Sequence, residues 1–166
     1  MRHLTPLPPP ARSARGLTLV ELMVALAIAA MLAVAAAPSF TEYMANSRLR
    51  ENGNSLYAQT LYAQSEAIKR NTVVRVAVAD GSIIVSDRTD PDDPQTIKTT
   101  PLTNGIAAEA FTLDFGGEGR PVGFATAEVD FSHPSLTCSS TIRCPGLRVD
   151  AGGGVRLCGD HTGSCE

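Results

Sequence analysis

The stretch RGLTLVELMVALAIAAMLAVAAAPSF, Arg15 to Phe40, opens on a cation and a glycine and then runs apolar with a single acid, Glu21. Leu17 to Ala37 holds 21 residues and one charge. About 20 apolar residues, rising 1.5 Å each, span a bilayer as a helix. A carboxylate inside such a helix costs about 2.5–3.5 kcal/mol on insertion scales, so it calls for a partner and a function.

The charge around this run is uneven. Residues 1–16 hold Arg2, Arg12 and Arg15 and no acid, whereas the whole chain is at −3. A basic start before an apolar run is a membrane-targeting pattern with the basic end kept cytoplasmic. The acidic remainder argues against a generally basic nucleic-acid binder. With 166 residues the chain has room for an anchor and one modest domain.

Three readings of the run compete. A cleaved secretory signal would use Ala35-Ala36-Ala37 as its A-x-A site. Pro38 would then follow the cut, which that cleavage disfavours, and the run exceeds the usual h-region of about 7–15 residues. A plain signal anchor explains the length and the cationic flank but leaves Glu21 without a reason.

The third reading accounts for the glycine and the acid together. RGLTLVELMVALAIAAMLA closely resembles the class III signal of type IV pilin-like proteins. The resemblance implies that a prepilin peptidase cuts between Gly16 and Leu17 on the cytoplasmic face of the inner membrane and methylates Leu17. Residues 1–16 are then a lost leader, 17–37 a retained membrane and filament-core helix, and Glu21 the fifth residue of the mature chain. It further implies that Glu21 pairs with the free N-terminal amine of a neighbouring subunit and so sets axial register. Leu17 departs from the Phe usual in the family, and the leader, with PLPPP at Pro6–Pro10, is longer than many and reads as a Pro-rich extension.

Pro38 is expected to kink the helix rather than end it. Over 38–71 Ala45, Leu49, Leu56, Ala63 and Ala67 recur at helical spacing, with Tyr57, Leu61 and Ile68 alongside. Asn52-Gly53-Asn54 is a point where this helix could bend. Beyond Asn71 the signals are those of strands. TVVRVAVADGSIIVSD, Thr72–Asp87, reads as a hairpin turned at Asp80-Gly81. Arg88–Thr96 reads as a solvated loop, since its aspartates lack the order of a calcium loop. Further strands are expected at 111–115, 121–125, 129–131, 147–149 and 155–158. The turn Gly116–Pro121 lacks the residues of a phosphate loop. One helix followed only by strands predicts an α+β fold of type IV pilin-like form, with the helix packed on an antiparallel sheet over 72–166.

All four cysteines, Cys138, Cys144, Cys158 and Cys165, lie in the last 29 residues. An even number beyond a membrane segment suggests two disulfides in an oxidising compartment. A zinc site is the rival, but no CxxC pair occurs. Short loops suggest Cys138–Cys144 and Cys158–Cys165; three pairings remain open.

Within the pilin-like proteins, SEAIKRN (Ser65–Asn71) leading into TVVRVAV, and GGVRLC (Gly153–Cys158), resemble the GspH/FimT-like minor pilins and pseudopilins. Some members bind DNA through a Gly-Arg-x-Arg motif during natural transformation. Here the aligned residues read Gly153-Gly154-Val155-Arg156, so one cation is missing and Arg156 alone remains as a DNA contact. His3, His133 and His161 stand apart and no G-x-S-x-G occurs, so neither catalysis nor a cofactor is expected. The expected role is a structural subunit, inserted once in the inner membrane with its C-terminal domain periplasmic. It would join other pilin or pseudopilin subunits in a type IV pilus or a type II secretion pseudopilus. DNA uptake is the alternative.

Overall fold

The computed structural model describes Gly16, residues 18–103 and 105–163, and Cys165. The leader up to Arg15 and the expected methylation site Leu17 lie outside the described residues. The chain divides into two compact units, 1–38 and 39–166.

Helix α1, Leu19–Arg70, enters both units and continues through Pro38 and through Asn52-Gly53-Asn54. Thr18 starts it: its hydroxyl accepts the Glu21 N–H at 3.2 Å and its carbonyl accepts the Leu22 N–H at 3.1 Å. Thr-x-x-Glu is the residue order of a capping box. The end is a Schellman motif. Asn71 sits at φ 52, its N–H reaches the Ile68 carbonyl, and the Thr72 N–H reaches the Ala67 carbonyl.

In the first unit the side chains from Leu19 to Leu32 and Val34 are exposed over half or more of their surface wherever they are large and apolar. The helix is long and apolar enough to cross a membrane. In the second unit one stripe of α1 is buried: Ala45, Leu49, Asn52, Gly53, Leu56, Gln59, Thr60, Ala63, Glu66 and Ala67. These recur every three or four residues, as one face of a helix must. Ile68 lies off this stripe and is exposed. Gly53 does not interrupt the helix. A Cβ there would meet the Pro145 ring at 3.0 Å, so the missing side chain lets Pro145 pack directly on the helix.

The strands form two antiparallel groups rather than one sheet. Strands β1 (Val74–Ala79), β2 (Ser82–Asp87), β3 (Gln95–Pro101) and β5 (Phe111–Phe115) pair in the order β3-β2-β1-β5. Strands β4 (Ala107–Ala108), β6 (Ala127–Ser132), β7 (Gly146–Val149) and β8 (Val155–Cys158) pair in the order β4-β6-β7-β8. The β1–β2 turn has positive φ at both Asp80 and Gly81, the primed turn that matches strand twist. Strand β3 occupies residues that the sequence reading gave partly to a loop. The expected strand over 121–125 is instead a short 3-10 turn, Val122–Phe124. Gly123 and Phe124 both have positive φ there, which no strand accommodates.

The core joins the helix stripe to Val74, Val76, Ile83, Val85, Phe115, Val129, Phe131 and Leu147, all at most 1% exposed. Polar side chains fasten its rim. Arg75 holds Asp114 across β1 and β5 through two bonds of 2.7 Å. Glu66 accepts from Arg70 Nε at 2.7 Å and from Lys69 Nζ at 3.2 Å, and Arg70 also reaches Asp87. These hydrogen bonds, Arg70 first and Lys69 second, hold the Glu66 carboxyl below its ordinary range. A lowered folded pKa adds stability that is present above the unfolded pKa and lost as the pH falls through the folded one. Stability should therefore fall on acidification through roughly pH 5 to 3. Glu66→Gln should flatten that fall, as read by denaturant midpoints across the range.

Candidate functional site

Two regions carry the residues singled out by sequence. The first is the start of α1. Gly16 is exposed, and nothing lies within 4 Å of where its Cβ would be. Among the described residues, nothing near it calls for a glycine at this position. Glu21 is exposed in the first helical turn, and its backbone N–H is already taken by Thr18.

The second region is the cystine-bound face. Cys138 is joined to Cys144 and Cys158 to Cys165. In a chain-entropy account, closing loops this short stabilises the fold by about 2–2.5 kcal/mol each. His161 lies inside the second loop. Its N–H donates to the Cys144 carbonyl at 2.7 Å, and its Nδ1 is 3.4 Å from Asp130. One of its ring nitrogens and the Cys138 and Cys144 sulfurs lie within 4.8 Å of one another, but those sulfurs are bonded to each other and offer no thiolate. Gly146 makes room here: a Cβ would meet Asp130, the Cys165 sulfur and His161 at 2.7–2.9 Å.

Arg156 is on β8, directly across from Arg148 on β7. Both line a cleft of about 510 Å³ with Glu128, Asp150 and His161. Arg148 is committed to Asp130 at 2.6 Å and lies 3.5 Å from Glu128. Asp150 is spent on its own turn, accepting from the Gly152 and Gly154 N–H groups. The surroundings of Arg156 are thus mixed in charge rather than cationic.

The sequence reading missed three amides that set this geometry. Asn46 donates to the Thr141 carbonyl at 2.7 Å and accepts the Arg143 N–H at 2.9 Å, which ties α1 to the first disulfide loop. Asn52 accepts the Thr103 N–H at 2.8 Å. Gln64 Nε2 donates to the carbonyls of Gly119 at 2.7 Å and Gly153 at 3.0 Å. Their signal was their register. All three fall on or beside the stripe that the apolar positions define, where a polar residue needs a partner.

Comparison with known proteins places these features. The family model described as prokaryotic N-terminal methylation motif matches residues 11–37. The model described as type II transport protein GspH matches residues 52–163. Comparison with curated proteins gives no match. Among solved structures, the chain is similar to the type IV minor pilin FimU of Pseudomonas aeruginosa, at 14% identity and TM-score 0.57, over 67% of this chain and 88% of that one. It is also similar to the minor pseudopilin EpsH from the type 2 secretion system of Vibrio cholerae. That match has 14% identity and TM-score 0.56, over 68% of this chain and 97% of that one.

Proposed function

Because this chain belongs to the family of type II transport protein GspH and carries the N-terminal methylation motif, we propose that it is made as an inner-membrane precursor, cut after Gly16, methylated on Leu17 and drawn into a filament. It is a subunit of the minor pilin or pseudopilin type, and the family is one of structural subunits rather than enzymes.

The observation that carries this reading is the bare apolar face of α1. Leu19, Val20, Met23, Leu26, Met31, Leu32 and Val34 are each more than 60% exposed. An apolar surface of this extent is stable only in a lipid or against other apolar chains. A membrane covers it first, and neighbouring subunits cover it in the filament. Gly16 supports the cut, because nothing among the described residues requires a glycine there. The catalytic groups belong to the peptidase. This chain supplies a cleavable peptide at Gly16–Leu17. After the cut, it supplies the Glu21 carboxylate as the partner for a neighbour's N-terminal amine. The cationic leader stays cytoplasmic, and the cystine-bound domain occupies the oxidising periplasm.

The geometry does not favour the DNA-uptake alternative. Arg156 shares its cleft with Glu128 and Asp150, and its neighbour Arg148 is held by Asp130. Phosphate binding needs several uncommitted cations along one face.

Intact mass and N-terminal sequencing of the membrane-extracted chain test the proposal. The expected product begins at methylated Leu17. A product beginning at Pro38 would make it a secreted domain, and one keeping Met1 a plain anchor.

A further inference from the structure

Beside the Cys138–Cys144 bond stands a third side chain able to bind a metal. One His161 ring nitrogen and the two sulfurs lie within 4.8 Å of one another. Cys144 is buried, whereas Cys138 and His161 are each partly open to solvent. Two thiolates and an imidazole are donors that zinc takes readily. The sulfurs cannot serve while bonded to each other. Once reduced, they can.

The three residues do not depend on that bond for their places. The Ser139 N–H reaches the Ile142 carbonyl at 2.8 Å, which folds the segment between the cysteines back on itself. Asn46 on α1 holds the same segment at Thr141 and Arg143. His161 is tied to the Cys144 carbonyl by its own N–H at 2.7 Å. Its turn is shaped by Asp160, which accepts from the Thr162 N–H at 3.1 Å and hydroxyl at 2.7 Å. The Cα atoms of the pair are 5.7 Å apart. Zinc binds sulfur at about 2.3 Å, so a tetrahedral angle sets two thiolates about 3.8 Å apart. Rotation of the two side chains reaches that separation without moving the backbone.

We propose that, when Cys138–Cys144 is reduced, Cys138, Cys144 and His161 hold one zinc ion, with water in the fourth place. Asp130 is the positioning residue. Its carboxylate lies 3.4 Å from His161 Nδ1 and is itself held by Arg148 at 2.6 Å. A metal-bound imidazole gives its second N–H to such a carboxylate, so Nδ1 faces Asp130 and Nε2 the ion. A dithiol opens the bond. Its first thiolate attacks the Cys138 sulfur, and Cys144 leaves as a thiolate. Its second thiolate then attacks the first sulfur and releases Cys138. The dithiol gives up two electrons and departs as a disulfide, and zinc displaces the two thiol protons. Oxidation by a disulfide reverses these steps and expels the ion. Ion and bond exclude each other, so zinc holds the pair open until an oxidant closes it. The site stands whether or not the chain enters a filament.

The test uses the full chain in detergent, reduced with a phosphine and then freed of reductant without air. Cobalt(II) is the coloured probe and zinc the competitor. The expected result is one equivalent of cobalt bound, with the visible bands of a four-coordinate ion. Its thiolate-to-cobalt charge transfer should have the intensity of two thiolates, not four. One equivalent of zinc should erase both signals, and the oxidised chain should give neither. With zinc present, alkylation and peptide mass mapping should find Cys138 and Cys144 slowed about tenfold or more, because a coordinated thiolate is a poor nucleophile. Cys158 and Cys165 should react as they do without zinc. His161→Ala should weaken cobalt binding more than the roughly 10–100-fold that losing an outer partner costs. Asp130→Asn should weaken it about tenfold while the charge transfer per bound ion stays the same, since both thiolates remain. A missing cobalt spectrum, four-thiolate intensity, equal protection of all four cysteines, or full binding by His161→Ala would each overturn the site. Full binding by Asp130→Asn would overturn the positioning role.

Discussion

Glu21→Ala should leave the domain folded and processed but remove the chain from filaments. The helix start does not depend on the carboxylate: Thr18 caps the Glu21 N–H with its own hydroxyl, and alanine is the best helix former. On the proposal above, what is lost is the partner of a neighbour's amine. Breaking a buried ion pair from one side costs about 3–5 kcal/mol, because the remaining charge stays desolvated and uncompensated. That corresponds to a reduction in incorporation on the order of a hundredfold or more. Sheared filaments and membranes, probed for the chain side by side, would measure it. Full incorporation of the variant would refute the register role. Glu21→Gln keeps the shape but not the charge, and it should recover only a small part.

Phe115→Ala should cost about 3–5 kcal/mol of stability. Phe115 is fully buried on β5, opposite Val74 on β1, and its backbone bridges to Pro121. The site is bounded by paired strands and by the helix stripe, so it cannot collapse around the missing ring. A domain of this size has roughly 5–15 kcal/mol in total, so one such change removes a large share. The measurement is a denaturant titration of the detergent-solubilised chain. Tyr43, Tyr57 and Tyr62 report the transition, since no tryptophan competes. A midpoint unchanged from the parent would mean that the helix stripe and the strands do not close around this ring as described.

Much of the fold was legible because several elements carry two signals at once. The β1–β2 hairpin has both an apolar run and a turn dipeptide whose residues accept positive φ. The helix over 38–71 has an apolar stripe whose spacing survives a proline and a glycine. Strand β3 was hidden because it lies at a sheet edge and is exposed or half-exposed along its length, so QTIKTTP shows no alternation. Residues 121–125 read as a strand because Val122 and Phe124 alternate; the positive φ of Gly123 and Phe124 is set by the turn's tertiary setting, which no local pattern reports. Of the site, the Gly16–Glu21 segment was legible as a motif. The amides of Asn46, Asn52 and Gln64 were not, because a polar residue looks solvated until its distant partner is known.

Gln64 has a further consequence. Its single amide grips the Gly119 and Gly153 carbonyls, and these belong to turns that flank different strand groups. Asn46 and Asn52 make similar joints lower on the helix. In the filament proposed above, traction would run along the helices, and the sheets would have to follow through whatever joins them to α1. The apolar stripe resists separation but offers little against sliding, since a hydrophobic contact has no direction. The three amides are directional and resist shear. Within that proposal, the sheets would stay fixed against sliding along the part of α1 they pack on.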